Sequence, residues 1–284
     1  MAGRLATEVG DVRPDGAMSK IVGEAAFQLG DFSRAVTSLE RALVIAKEVD
    51  DDRIGAAAHY LLGSLHQSRG DRQRARLEFG MSLAIAVRSH DAASEARAEL
   101  GLAWEHLDLG DHASARARYD RAIDLAMPLG LDRTVRIATG YLGIMHFDAG
   151  ALAEADSHLA RAAYDCKRAG DVRVEGVFVG VRGAVLAALG RIEEARRSFA
   201  LAEELLAKSE FYAGVIALHR GHLEIAEARA AARRGDEATA TSLLAAVRAR
   251  IEDARQPGPD GESFVQRSDD ARLAVRILER SLGL

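Results

Sequence analysis

From Tyr60 to Ala86 the chain reads YLLGSLHQSRGDRQRARLEFGMSLAIA. Apolar residues three and four apart (Leu62 and Leu65, then Ala75, Phe79, Leu83 and Ala86) flank a polar Gly-Asp pair. That spacing predicts helix, tight turn, helix. The pattern recurs at a step of about 40 residues, the period of a helical-pair solenoid. Gly30, Gly70, Gly110, Gly150 and Gly190 hold the turn. Seven residues earlier stands a small residue: Gly23, Gly63, Ala103, Gly143 or Gly183. Five later comes Ala35, Ala75, Ala115, Ala155 or Ala195, and nine later Leu39, Phe79, Tyr119, Leu159 or Phe199.

Each column has a physical role. The turn Gly can take the left-handed conformation that ends a helix. Asp31, Asp71 and Asp111 follow it and are placed to cap the next helix. The small residue and the Ala let two helices approach, and the large apolar residue fills the seam beside them. A single pair cannot bury its own apolar face, so pairs must stack. The expected fold is all-α, a right-handed solenoid of stacked antiparallel helix pairs.

Five units are expected at 17–49, 57–89, 97–129, 137–169 and 177–209. Shifted by one repeat, Leu5 to Val9 falls on Ile45 to Val49, Asp11 on Asp51 and Arg13 on Arg53. Residues 1–16 therefore read as the remnant of a preceding repeat, with the expectation that further repeats or domains lie upstream. After Ser209 the ladder slips. Gly235 follows Gly190 by about 45 residues, with Ala240 and Leu244 at the usual offsets. Residues 210–254 are expected to form a sixth, degenerate pair (213–234 and 237–254). Residues 255–267, including QPGPDG, are expected to form a loop, and 268–284 a capping helix with Ser268 as N-cap and Leu273, Ile277 and Leu278 on one face.

The columns resemble the tetratricopeptide repeat, of the long-step kind found in bacterial signalling proteins. Leu62-Gly63, Gly70-Asp71, Ala75 and Phe79 match its pattern, as do Ala42, Ala122, Ala162 and Ala202. The resemblance covers 17–209 well and 213–254 weakly. The early-helix Trp of the family is absent, and its usual Tyr is Ala26, His66, His106, His146 or Leu186. The resemblance implies a groove lined by the first helix of each unit. Carried over, the groove positions include Lys20, Glu24 and Phe27, then Tyr60 and Gln67, then Arg97, Trp104 and Asp108, then Ile144 and Phe147. Trp104, the only Trp, is an anchor candidate of the kind that interaction hot spots use. Its competing reading, and that of its neighbours, is packing between repeats. Lys20 is joined by Glu24 where a carboxylate-clamp groove needs Asn, so no such clamp is expected.

Composition narrows the function. The net charge is −5 with acidic and basic residues interleaved, which argues against nucleic-acid binding. The one cysteine, Cys166, cannot form an internal disulfide and reads as packed core in a cytoplasmic protein. No apolar run reaches the ~20 residues of a membrane span, and no apolar signal core opens the chain.

Catalytic motifs are not found: no phosphate loop, no dinucleotide fingerprint, no His-Glu-x-x-His, no paired cysteines. His66, His106 and His146 share a column, but helices packed ~8–10 Å apart cannot bring them to one ion; a packed, hydrogen-bonded column is expected. Asp50 to Asp52 lacks the Gly and distal Glu of a calcium loop and reads as a capped turn. The arginines at 229, 233, 234, 248, 250 and 255 read as a solvated surface or as a dock for an acidic partner.

The expectation is a non-enzymatic protein-interaction scaffold without cofactor or metal, binding a peptide or helix in its groove. By resemblance it would be the sensor or regulatory region of a bacterial signal-transduction protein, with an ATPase, kinase or DNA-binding domain upstream. The alternatives are a self-contained peptide-sensing receptor and an accessory subunit of an enzyme complex.

Overall fold

A computed structural model describes residues 13–29, 31–258 and 261–283. The overlap of residues 5–11 with the next repeat, and the turn position Gly30, lie outside the described residues. The described chain is helical, and it divides into two compact units, 1–135 and 136–284.

Unit 1 contains α1 (Arg13–Gln28), α2 (Phe32–Glu48), α3 (Asp52–Ser68), α4 (Arg72–Arg88), α5 (Ala92–Asp108) and α6 (His112–Ala126). A short 3-10 turn, Met127–Leu129, follows. The next helix, α7 (Asp132–Asp148), carries the boundary between the units. Unit 2 continues with α8 (Leu152–Ala169), α9 (Val172–Ala188), α10 (Ile192–Leu206), α11 (Glu210–Arg233) and α12 (Glu237–Arg255). The short α13 (Phe264–Arg267) and the terminal α14 (Asp269–Leu282) complete it.

The helices are longer than the repeat columns alone required. First helices begin at Asp52 and Ala92, five residues ahead of the expected unit starts, because a second set of caps operates there. Asp51 accepts from the backbone N–H of Ile54 at 3.0 Å, and Asp91 from those of Ala93 and Ser94 at 3.1 and 3.2 Å. The expected caps stand beside them: Asp31, Asp71 and Asp111 each accept from the N–H three residues on at 3.1 Å. A left-handed residue recurs every 20 residues, at Asp50, Gly70, His90, Gly110, Gly130, Gly150, Gly170 and Gly190. Asp and His tolerate that conformation better than most residues, so two of these turns carry no Gly.

The seam between paired helices is built from the small and large columns. A methyl group placed on Gly23 would lie 2.7 Å from Leu39, on Gly63 2.6 Å from Phe79, on Gly143 2.7 Å from Leu159 and on Gly183 3.1 Å from Phe199. Side chains fill the space that the missing Cβ leaves. Ala35, Ala75, Ala115, Ala155 and Ala195 are all fully buried. Ser82 replaces the buried Ala of the adjoining column, and its hydroxyl donates to the Ala56 carbonyl at 2.8 Å, which offsets its desolvation.

Beyond Ser209 the step changes because α11 runs to 24 residues. Residues 264–267 are helical where a loop was expected. Ser263 and Gln266 form a reciprocal capping box there, with bonds of 2.7 and 3.2 Å. Ser268 caps α14 by accepting from Ala271 N–H at 3.0 Å.

Candidate functional site

In unit 1 the first helices α1, α3 and α5 touch in series, and α2, α4 and α6 pack behind them. Lys20, Glu24, Phe27, Tyr60, Gln67 and Arg97 are half-buried on these first helices. Lys20 and Glu24 face each other across one turn, 4.0 Å apart. The Phe27 ring lies 6.2 Å from Phe32, and Tyr60 lies 5.9 Å from Phe79, over the seam to α4. Phe27 and Tyr60 also pack against the buried clusters of their helix pairs, while the polar side chains remain partly accessible.

The other four expected groove residues are buried. Trp104, Asp108, Ile144 and Phe147 keep 5% exposure or less. They are packed in this conformation. Groove and inter-repeat seam share the same helical spacing, and large apolar side chains go to the seam because burial is worth ~25 cal/mol per Å². Asp108 is buried, and Arg72 donates to its carboxyl group at 2.5 Å.

Ion pairs cross between helices at repeating offsets. His59 faces Glu78 at 2.6 Å, and one repeat later Glu99 faces Arg118 at 2.6 Å with the charges exchanged. Glu95–Arg121 in unit 1 recurs in unit 2 as Asp156–Arg182 and Glu224–Arg250, at 2.6, 2.5 and 2.7 Å. The interleaved charge of the sequence is therefore partly specific pairing, although each exposed pair is worth under ~1 kcal/mol. Arg250, from the Arg-rich segment, is one such partner, and Arg255 pairs with Glu279 at 2.6 Å.

The histidine column has local partners. His106 Nδ1 lies 3.3 Å from Asp111, His146 stacks on His158 at 5.2 Å, and burial lowers the pKa of His66. Among the described residues no group of His, Cys, Asp and Glu could hold a metal ion. Cys166 is buried, and desolvation pushes its thiol up to about 11. Among the described residues no helix is long and apolar enough to cross a membrane.

Unit 2 gathers a different set of groups, which the repeat pattern did not signal. Asp148, at the end of α7, has a side chain 1% exposed. Arg276 Nη2 donates to it at 2.6 Å and Arg280 Nη2 at 3.1 Å, both from α14. Arg280 also donates to the Asp148 backbone carbonyl. Beside them the Phe147 ring lies 6.4 Å from His219 and 5.1 Å from His222 of α11. Burial lowers both imidazoles, to about 3 and about 4. A visible clue was the i, i+4 pair of arginines on a terminal amphipathic helix.

No family model matches the chain, and no curated protein matches its sequence. Solved structures do match its fold. The Rap conjugation gene regulator of the plasmid pLS20, in complex with the Phr* peptide, aligns with TM-score 0.62 at 17% identity, over 95% of this chain and 75% of its own. A Rap protein complexed with competence and sporulation factor aligns with TM-score 0.64 at 15% identity, over 93% and 74%. Aspartyl phosphate phosphatase F from Bacillus subtilis aligns with TM-score 0.59 at 13% identity, over 87% and 73%. The chain thus has the all-helical repeat fold of the Rap structures.

Proposed function

We propose that this protein is a non-enzymatic regulatory scaffold that binds a peptide or a short helix, as part of a bacterial signal-transduction system. The observation that carries the reading is a fold likeness over 93–95% of the chain to two structures described as complexes, one with the Phr* peptide and one with competence and sporulation factor. The half-buried residues of α1, α3 and α5 are the contact face in this reading. Tyr60 and Phe27 supply apolar surface, Gln67 hydrogen-bonds a peptide backbone, and Lys20, Glu24 and Arg97 select charge. A self-contained peptide receptor is the second reading, favoured by the likeness to the same two complexes.

The test is a peptide-library screen followed by calorimetric titration of the best binder. Tyr60→Ala, Gln67→Ala and Arg97→Glu are each expected to weaken binding about tenfold, the size of a ~1.4 kcal/mol contact. Leu77→Ser, on the exposed side of α4, serves as the control and leaves binding unchanged. Equal affinity in all four variants would exclude this face.

A further inference from the structure

We propose that Asp148, Arg276 and Arg280 form a clasp that holds the α11–α14 block of unit 2 against the end of α7, and that unit 2 opens at this seam. The inference deepens the peptide-binding reading only in what would enter the opening, namely a ligand reaching the buried groove position Phe147.

Two unlike seams carry it. The first joins α14 to the block and is apolar. Ala271, Ala274, Val275 and Leu278 share one core cluster with Leu218, Ile225, Val247 and Ile251 of α11 and α12. Parting these surfaces would expose a continuous hydrocarbon interface, so α11, α12 and α14 hold together.

The second seam, toward α7, is polar. Arg276 and Arg280 stand one turn apart on α14 and reach a carboxylate 128 and 132 residues away in sequence. That carboxylate sits at a helix C-terminus, where the backbone dipole disfavours an anion. The two guanidiniums offset this, and Arg280 also satisfies a carbonyl of the final turn. Across the same seam Phe147 rests on two buried imidazoles, and His219 Nδ1 has no hydrogen-bond partner among the described residues. Opening this seam exposes the Phe147 ring but returns hydration to an ion cluster and to an imidazole, whereas opening the first exposes hydrocarbon alone. Removing the guanidiniums takes two charged donors from the buried Asp148 carboxylate and loosens the α14 side of the seam.

Hydrogen exchange on the full chain tests the clasp without needing a ligand. Arg276→Ala/Arg280→Ala is expected to speed exchange at least tenfold at 144–148 and over the inner turns of α11, while the amides of α12 and of Ala271 to Leu278 stay at native rates. Arg276→Lys/Arg280→Lys keeps the charge and is expected to recover most of the protection. Uniform loosening of all of unit 2, or no change at 144–148, would overturn the clasp. Neither outcome bears on the peptide screen, so the two proposals fail separately.

Discussion

Gly63 and Gly101 offer the sharpest test of how the repeats pack. A Cβ on either would lie 2.6 Å from both Cδ1 and Cε1 of Phe79, whose ring is fully buried. Ordinary carbon contacts are ~3.5–4.0 Å, so the same ring edge is short of space by about 1 Å against α3 and against α5. Overpacking of this kind costs ~1–3 kcal/mol. Replacing Gly by Ala inside a helix returns ~1 kcal/mol of backbone propensity. Gly63→Ala and Gly101→Ala should each destabilise unit 1 by up to ~2 kcal/mol net. Gly80 provides the control. It lies within α4, next to Phe79 in sequence, and a Cβ there would meet nothing within 4 Å. Gly80→Ala should therefore stabilise by up to ~1 kcal/mol.

The assay is built into the chain. Trp104 is the only Trp, is 4% exposed, and lies one turn from Gly101. Its fluorescence in a urea titration reports unit 1, with far-UV circular dichroism following both units. The reasoning predicts midpoints moving in opposite directions for Gly80→Ala and Gly63→Ala at an unchanged slope. If Gly63→Ala stabilises as much as Gly80→Ala, the Phe79 edge is not the constraint, and the account of the small column is wrong.

Three further outcomes follow from groups already described. His219 and His222 are held near 3 and 4 by burial, against ~6.5 when exposed; Phe147 faces both, each faces the other, and Arg229 adds to the lowering at His222. Their folded pKa values are depressed, so unit 2 keeps its full stability above ~6.5 and loses it as pH falls toward 4, by on the order of 1–2 kcal/mol per imidazole at pH 5; urea midpoints at pH 7.5 and 5 measure this, and His219→Gln should remove part of the dependence. Cys166, buried and pushed up to about 11, should react with a disulfide reagent at pH 7 at least ~100-fold more slowly in the native protein than in urea, and rapid native labelling would contradict its burial. Asp91→Ala removes an acceptor for two backbone N–H groups and for the buried Ser94 hydroxyl, at a cost of about 1–2 kcal/mol, more than Asp111→Ala, whose cap is exposed.

The fold was legible because the constraint that makes it recurs. Gly at 70, 110, 150 and 190 announces a left-handed turn, and the small and large columns announce a close seam, each repeated without insertion. Half of the turns were not announced. Asp50 and His90 adopt the same conformation as the glycines, but their residue types occur as often on helix surfaces, so the 20-residue rhythm was hidden inside the 40-residue one. The cap at Asp91 was hidden with it, while Asp50 to Asp52 was readable as a capped turn but not as the start of a longer helix, and the helices came out longer than the columns implied. Ser268 was readable as a cap because an amphipathic run follows it. Ser263 was not, because only four residues separate it from Ser268, too few for any periodicity to register.

The site was harder to read for a reason that belongs to solenoids. A first helix has one stripe toward the open side and another toward its neighbours, and both obey the same 3.6-residue period. Sequence can list the candidates but not rotate the helix. Size breaks the tie: Trp104, Ile144 and Phe147 gain more from burial than Gln67, Arg97 or Lys20 lose by staying accessible. The charged positions then show what apolar periodicity misses altogether. Asp108 is buried beside an arginine from the neighbouring helix pair, whereas Asp148, in the same column one repeat later, meets arginines from the far end of the chain. One residue type at one repeat position thus serves in one place to lock adjacent pairs and in another to join remote helices.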